Sequence, residues 1–208
     1  MVVTTGQPVS GTADETAAMT AVKILVAGAF GVGKTTLVTA VSEIPPLHTE
    51  ERLSLPGAGR DDLAGVEGKH TTTVAIDFGR LSLDTELTLY LFGTPGQERF
   101  WFLWDGLTDG AIGVLVMVDT RRLTDSFHTI GHCEHRGIPF VVVVNLFQND
   151  PYRYTPSEIR DALDLPAHVP VIAADARSRA QATAALIALV RHALTRHSST
   201  VPFHGASV

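Results

Sequence analysis

The sequence predicts an α/β fold in three layers, with a mostly parallel, doubly wound sheet of six strands between helices on both faces. Three observations predict it. Short β-branched runs alternate with helical patterns along the chain, as parallel crossover connections require. The first of these runs passes through a glycine-rich turn directly into a helical pattern. The chain has 208 residues, 45% hydrophobic and 18% charged, enough to bury one core without disulfides or metals.

Each element has its own signal. Residues 1–20 are small and polar and read as a disordered lead, 21–197 as the folded domain and 198–208 as a flexible tail. Residues 22–27 are a short β-branched run ending at Gly28, the pattern of a buried strand. A helical pattern follows from Lys34 to Glu43 and stops at Pro45-Pro46. Residues 44–72 show no sustained periodicity, and a connection of that length inside a compact domain is usually functional. Strand-like runs resume at 73–78, 87–92, 111–118, 139–145 and 169–174, with helices expected at 124–136, 156–163 and 179–195. In such sheets ligands bind at the carboxyl ends of the strands.

Composition excludes several classes. A formal net charge of −6 gives no basic field for nucleic acid or anionic lipid. No apolar run approaches the ~18–20 residues of a membrane span. No secretory leader or lipid-attachment motif is readable, and the single cysteine, Cys133, fits a reducing compartment, so a cytoplasmic protein is expected.

The turn Gly28-Ala29-Phe30-Gly31-Val32-Gly33-Lys34-Thr35 fits the pattern G-x-x-x-x-G-K-[ST] in full, between a strand and a helix. Such a turn curls successive N–H groups inward around phosphate oxygens, and the helix start adds its positive dipole end. Lys34 supplies a full charge for β- and γ-phosphates, the Thr35 hydroxyl can ligate Mg²⁺, and Thr36 follows on the same turn. An ordinary glycine-rich turn would not need the complete motif together with both flanks.

Downstream, Phe92-Gly93-Thr94-Pro95-Gly96-Gln97-Glu98-Arg99-Phe100 resembles the second switch of Ras- and Rab-like small GTPases, which read D-T-A-G-Q-E-R-F. Thr73-Val74-Ala75-Ile76-Asp77-Phe78-Gly79 is similar to the Rab-type T-I-G-V-D-F-G. The likeness spans about residues 22–196. The proline in Thr94-Pro95-Gly96-Gln97 resembles bacterial MglA-like GTPases, and the runs 89–95, 100–105, 119–123 and 175–177 look closer to the actinobacterial conservon (CvnD-like) GTPases.

This resemblance implies a P-loop NTPase G domain that binds GTP or GDP with Mg²⁺ and acts as a regulatory switch. Thr73 would join Thr35 at the metal, the Gly96 N–H would bond the γ-phosphate, and Gln97 would orient the attacking water. Asn145, Phe147, Ala176 and Arg177 would surround the base. Implied partners are a Roadblock/LC7-type regulator and a sensor-kinase-like membrane protein, which would recruit the chain to the inner face of the membrane.

Three departures qualify the likeness. Gly93 stands where D-x-x-G has its metal-supporting aspartate. Asp77 and Asp119 are candidates to compensate, though each reads more simply as a strand-end residue. In place of N-K-x-D the sequence has Asn145-Leu146-Phe147-Gln148, and an amide cannot accept both guanine N1–H and N2–H. Asp150 would reach the base only if the loop were rebuilt, while the Ala176 N–H remains available for a purine O6. No arginine adjoins Thr73. Arg52 and Arg60 are weak candidates for an arginine finger, so slow hydrolysis needing help from a partner is expected.

Two rival readings stand beside the switch: a hydrolysis-deficient nucleotide-binding scaffold, favoured by Gly93 and Gln148, and a small P-loop kinase, which would need more lid arginines than Arg177 and Arg179. His128, His132 and His135 share one helical face beside Cys133, which reads first as a polar surface and second as a zinc site. Phe100, Trp101, Phe102 and Trp104 fit either a core or a partner surface.

Overall fold

The computed structural model describes residues 20–45, 47–54, 71–96, 100, 103–148, 150 and 153–200, with backbone alone at 48–54, 71–75, 105 and 197–200. The expected disordered lead and most of the tail lie outside them. The elements run β1 (Thr20–Ala27), α1 (Lys34–Val41), β2 (Leu47–Ser54), β3 (Thr71–Ser82), β4 (Leu87–Gly93), α2 (Trp104–Thr108) and β5 (Ala111–Val118). After a 3₁₀ segment (Thr120–Ser126) come α3 (Phe127–His135), β6 (Phe140–Asn145), α4 (Pro156–Ala162), β7 (Val171–Ala174) and α5 (Arg179–Thr200).

The strands form one sheet in the order β2-β3-β4-β1-β5-β6-β7. From β4 to β7 every pairing is parallel, while β2, β3 and β4 pair antiparallel. All six expected strands are present. A seventh, β2, lies within the stretch that showed no periodicity. Its residues are polar except for Leu47 and Leu53, so no alternation marks it, and β3's outer edge supplies its hydrogen-bond partners. The predicted helix at 124–136 starts as the end of the 3₁₀ segment and continues as α3, while a kink at Arg122 (φ −144°, ψ 52°) lies just before it, inside the 3₁₀ segment. The five-residue α2 is too short to show a helical period.

Strand alternation divides the core into two halves. Ile24, Val26, Leu115, Met117, Val141 and Val143 face α1 and α5. Leu25, Ala27, Val114, Val116, Val142 and Val144 point the other way, onto Trp104, Ile130, Cys133, Ile159 and Leu163 from α2, α3 and α4. Because β1 lies centrally, with β4 and β5 on either side, their carboxyl ends open at a topological switch point. The loops leaving β1, β4, β5, β6 and β7 all gather at that edge. Among the described residues no helix is long and apolar enough to cross a membrane.

α5 approaches the sheet closely at Gly113. A Cβ there would lie 2.7 Å from the Pro139 carbonyl and 2.9 Å from Leu189 Cδ1. That carbonyl is fixed by the Val114 N–H at 2.9 Å, so it cannot retreat cheaply. Gly113→Ala is expected to destabilise the domain by about 1–3 kcal/mol in urea unfolding; an unchanged midpoint would mean that the β5–α5 contact is looser than described.

Candidate nucleotide site

The glycine-rich turn between β1 and α1 is wound by left-handed backbone at Gly28 (φ 136°), Gly31 (φ 77°) and Gly33 (φ 110°), conformations that L side chains resist. At Gly33 space is short as well, since a Cβ would come within 2.7 Å of Asn145 Nδ2. Lys34 opens α1 and is 8% exposed. Its ammonium donates to the carbonyls of Gly28 (2.8 Å) and Ala29 (2.9 Å), which hold it at the mouth of the turn. Burial lowers its pKa from 10.5 to about 8, while the charge of Asp77 pulls the other way. Val32 is buried and anchors the turn in the core, whereas Phe30 stands exposed on its lip.

Asp77 is the carboxylate that sequence reasoning left undecided. Register places it directly opposite Gly93 in the β3–β4 pairing. Its Oδ2 accepts from Thr35 Oγ1 at 2.5 Å, and a Cβ on Gly93 would lie 3.0 Å from that same oxygen. Asp77 thus reaches across the strand pair into the space above Gly93, where D-x-x-G would place its carboxylate. A side chain at position 93 would require Asp77 to give by a few tenths of an ångström. Asp119, the other candidate, is committed elsewhere. Arg121 chelates it through Nε (2.8 Å) and Nη2 (2.7 Å), and that pairing holds its carboxyl below the usual range.

Two segments close over the phosphate side. Gly96, after β4, packs on the turn so tightly that a Cβ would lie 2.6 Å from Lys34 Nζ and 2.6 Å from Phe30 N. From the kink in the 3₁₀ segment, Arg122 donates through Nη2 to the Phe30 carbonyl at 3.0 Å, bracing the turn from outside. The sequence motif containing Arg122 gave no sign of this role, because the contact spans 92 residues. Thr73 is not brought to Thr35 here. It pairs with Arg52 in the β2–β3 hairpin, four residues along an extended strand from Asp77, roughly 13 Å at strand rise. Gln97 and Arg60 lie outside the described residues, as does the side chain of Arg52.

On the other side of the turn is a pocket of about 360 Å³, lined by residues that include Thr36, Asn145, Phe147, Gln148, Ala176 and Arg177. Asn145 knits three loops together: its Nδ2 donates to the Val32 carbonyl (2.9 Å) and its Oδ1 accepts from the Ala176 N–H (3.1 Å). The N–H expected to meet a purine O6 is therefore engaged by Asn145. Arg177 chelates Asp175 at 2.8 and 2.6 Å, lowering the Asp175 pKa to about 2. Arg121 lies flat over the Phe147 ring, 4.0 Å from its centroid. Asp150 is buried and accepts from Thr120 Oγ1 at 2.9 Å, so it does not replace the missing aspartate.

The sequence profile of a family described as conserved hypothetical ATP binding proteins matches residues 26–196. The chain belongs to that family. It is also 32% identical over 126 residues to MJ1339, an uncharacterized protein of Methanocaldococcus jannaschii, covering 60% of this chain and 69% of that one. Its fold is similar to that of the G domain of the T. maritima FeoB iron transporter, with a TM-score of 0.59 and 17% identity, covering 84% of this chain and 99% of that one. This member of the ATP-binding family is a nucleotide-binding P-loop domain of GTPase-like fold. The finer likeness to MglA-like and conservon proteins rests on the sequence motifs alone.

The remaining candidates separate. Among the described residues no group of three His, Cys, Asp or Glu side chains could hold a metal ion. Cys133 points into the core, where burial raises its pKa to about 12, and His132 packs edge-on against Trp104. Phe100 and Trp104 are buried, which favours the core reading; Trp101 and Phe102 lie outside the described residues.

Lys34 gives the site a signature in pH. The unfolded chain keeps this proton up to about 10.5 and the folded protein releases it from about 8, so its contribution to stability rises with pH across that window. In urea unfolding of nucleotide-free protein, wild type is expected to gain stability relative to Lys34→Met between those two values. A difference constant with pH would mean that the amine is solvated.

Proposed function

We propose that this protein is a nucleotide-dependent switch. It would hold a purine nucleoside di- or triphosphate with Mg²⁺, hydrolyse the triphosphate slowly, as a small GTPase does GTP, and report the terminal phosphate to a partner. The observation that carries the reading is the Thr35–Asp77 pair beside the buried Lys34, at the mouth of a turn wound by three left-handed glycines.

The donor set fits a hard cation: one hydroxyl and one carboxylate oxygen, 2.5 Å apart, on rigid elements. Thr35 and Asp77 would hold Mg²⁺, which supplies neutralisation of phosphate charge when bound. Lys34 keeps two of its protons on backbone carbonyls and directs the third toward a phosphate oxygen. N–H groups of the turn, with the start of α1, take the remaining oxygens. Gln97 would position the attacking water, and no described arginine contacts the inner side of the turn to supply a finger.

Two features support switching. Gly96 occupies the space against Lys34 and Phe30 that a γ-phosphate would enter, so a triphosphate must displace the loop that follows β4. Bringing Thr73 to the metal requires β3 to give up pairs with β2. Both segments therefore differ between the two nucleotide states, which is what a regulator of the Roadblock/LC7 kind would read. The scaffold reading keeps the first step and omits hydrolysis.

Fluorescent mant-GDP and mant-GTP binding, with and without Mg²⁺, tests the proposal. Lys34→Ala is expected to weaken both by about 10–100-fold, the range for lost hydrogen bonds to a charged group. Asp77→Asn is expected to abolish the gain in affinity from Mg²⁺ while leaving metal-free binding in place; equal Mg²⁺ dependence in the two proteins would remove Asp77 from the metal site. Gln97→Leu should slow single-turnover phosphate release; an unchanged rate would remove Gln97 from catalysis, and no release by wild type would favour the scaffold.

A further inference from the structure

Among the described residues, the base half of the site shows none of the paired devices that would read guanine. Guanine offers an acceptor at O6 and donors at N1 and N2, so specific reading needs one N–H donor and a group with two acceptor oxygens. The donor is engaged, because the Ala176 N–H bonds Asn145 Oδ1. Asp175, the carboxylate that lines the pocket, is engaged by Arg177, and the nearby Asp119 and Asp150 pair with Arg121 and Thr120. At the position of the expected aspartate, Gln148 offers one acceptor beside one donor, a pattern no better matched to guanine than to adenine. What the pocket does present is flat and cationic: the Arg121 guanidinium stacked on Phe147, with Arg177 nearby. Stacking surfaces of this kind hold any base, since every base has a π-face.

We propose that the pocket lined by Arg121, Phe147, Gln148 and Arg177 is a permissive purine site that binds guanine, hypoxanthine and adenine nucleotides alike, discrimination being absent because Gln148 replaces a carboxylate. The proposal rests on the nucleotide reading above and deepens it by naming the ligand class. Affinity then comes from the phosphate half, and the ligand held in a cell follows the relative abundance of purine nucleotides.

The test is displacement of mant-GDP from the full-length wild-type protein by GDP, IDP and ADP in the presence of Mg²⁺. IDP lacks only the 2-amino group, and ADP also exchanges the 6-oxo group for an amine. The expected result is three dissociation constants within tenfold of one another. Gln148→Asp should then favour GDP over IDP by at least tenfold, the scale of hydrogen bonds to a charged acceptor. Arg121→Ala should weaken all three by a similar factor.

A wild-type preference for GDP of more than tenfold over IDP or ADP overturns the proposal and leaves the nucleotide reading intact. An unchanged GDP to IDP ratio in Gln148→Asp overturns the assignment of Gln148. Binding of mant-ADP without mant-GDP overturns the proposal alone, whereas failure of the wild type to bind either overturns the nucleotide reading and this inference with it.

Discussion

The site depends on one buried cation. A lysine ammonium taken largely out of water costs free energy unless its protons and charge are satisfied, and Lys34 finds only two backbone carbonyls and a carboxylate farther off. Its lowered pKa is the measure of that shortfall. A polyphosphate would offer that ammonium the counter-charge that burial leaves it short of. Around this group the chain spends its conformational exceptions: left-handed glycines wind the turn, Asn145 ties it to β7's loop, and Arg122 braces its outer side.

A carboxylate near that cation is required, but its place of attachment is not. Antiparallel pairing brings Asp77 of β3 opposite Gly93 of β4, and a side chain from either strand can reach Thr35. A side chain at position 93 would meet the Asp77 carboxylate at 3.0 Å, so the glycine there leaves that carboxylate in place without any adjustment. The glycine that breaks a familiar motif thus stands beside an aspartate that fills the neighbouring space. The apparent loss in sequence is a relocation in space.

The two halves of the site follow opposite designs. Phosphates meet a preorganised cradle of N–H groups, a helix start and a fixed ammonium, all selective for charge. A base would meet two arginines whose charges are already answered by Asp119 and Asp175, one of them lying over the Phe147 ring. A site built this way would distinguish the number of phosphates more sharply than the base that carries them. The contact of Gly96 with the turn belongs to the same logic, since it lies on the terminal-phosphate side and is far from the base pocket.

The linear chain determined whatever depends on local pattern. β-branched runs specify the six strands, the complete motif from Gly28 to Thr35 specifies a phosphate turn, and Asn145 marks the base side, each through neighbours within a few residues. Tertiary structure decided what depends on contacts between distant segments. That Asp77 rather than Asp119 serves Thr35 follows from strand register over 42 residues. That Arg122 braces Phe30, that β2 pairs at all, and that Thr73 sits in a hairpin away from Thr35 follow from what the folded sheet leaves within reach. Periodicity records which face a residue shows; only packing decides which partner waits there.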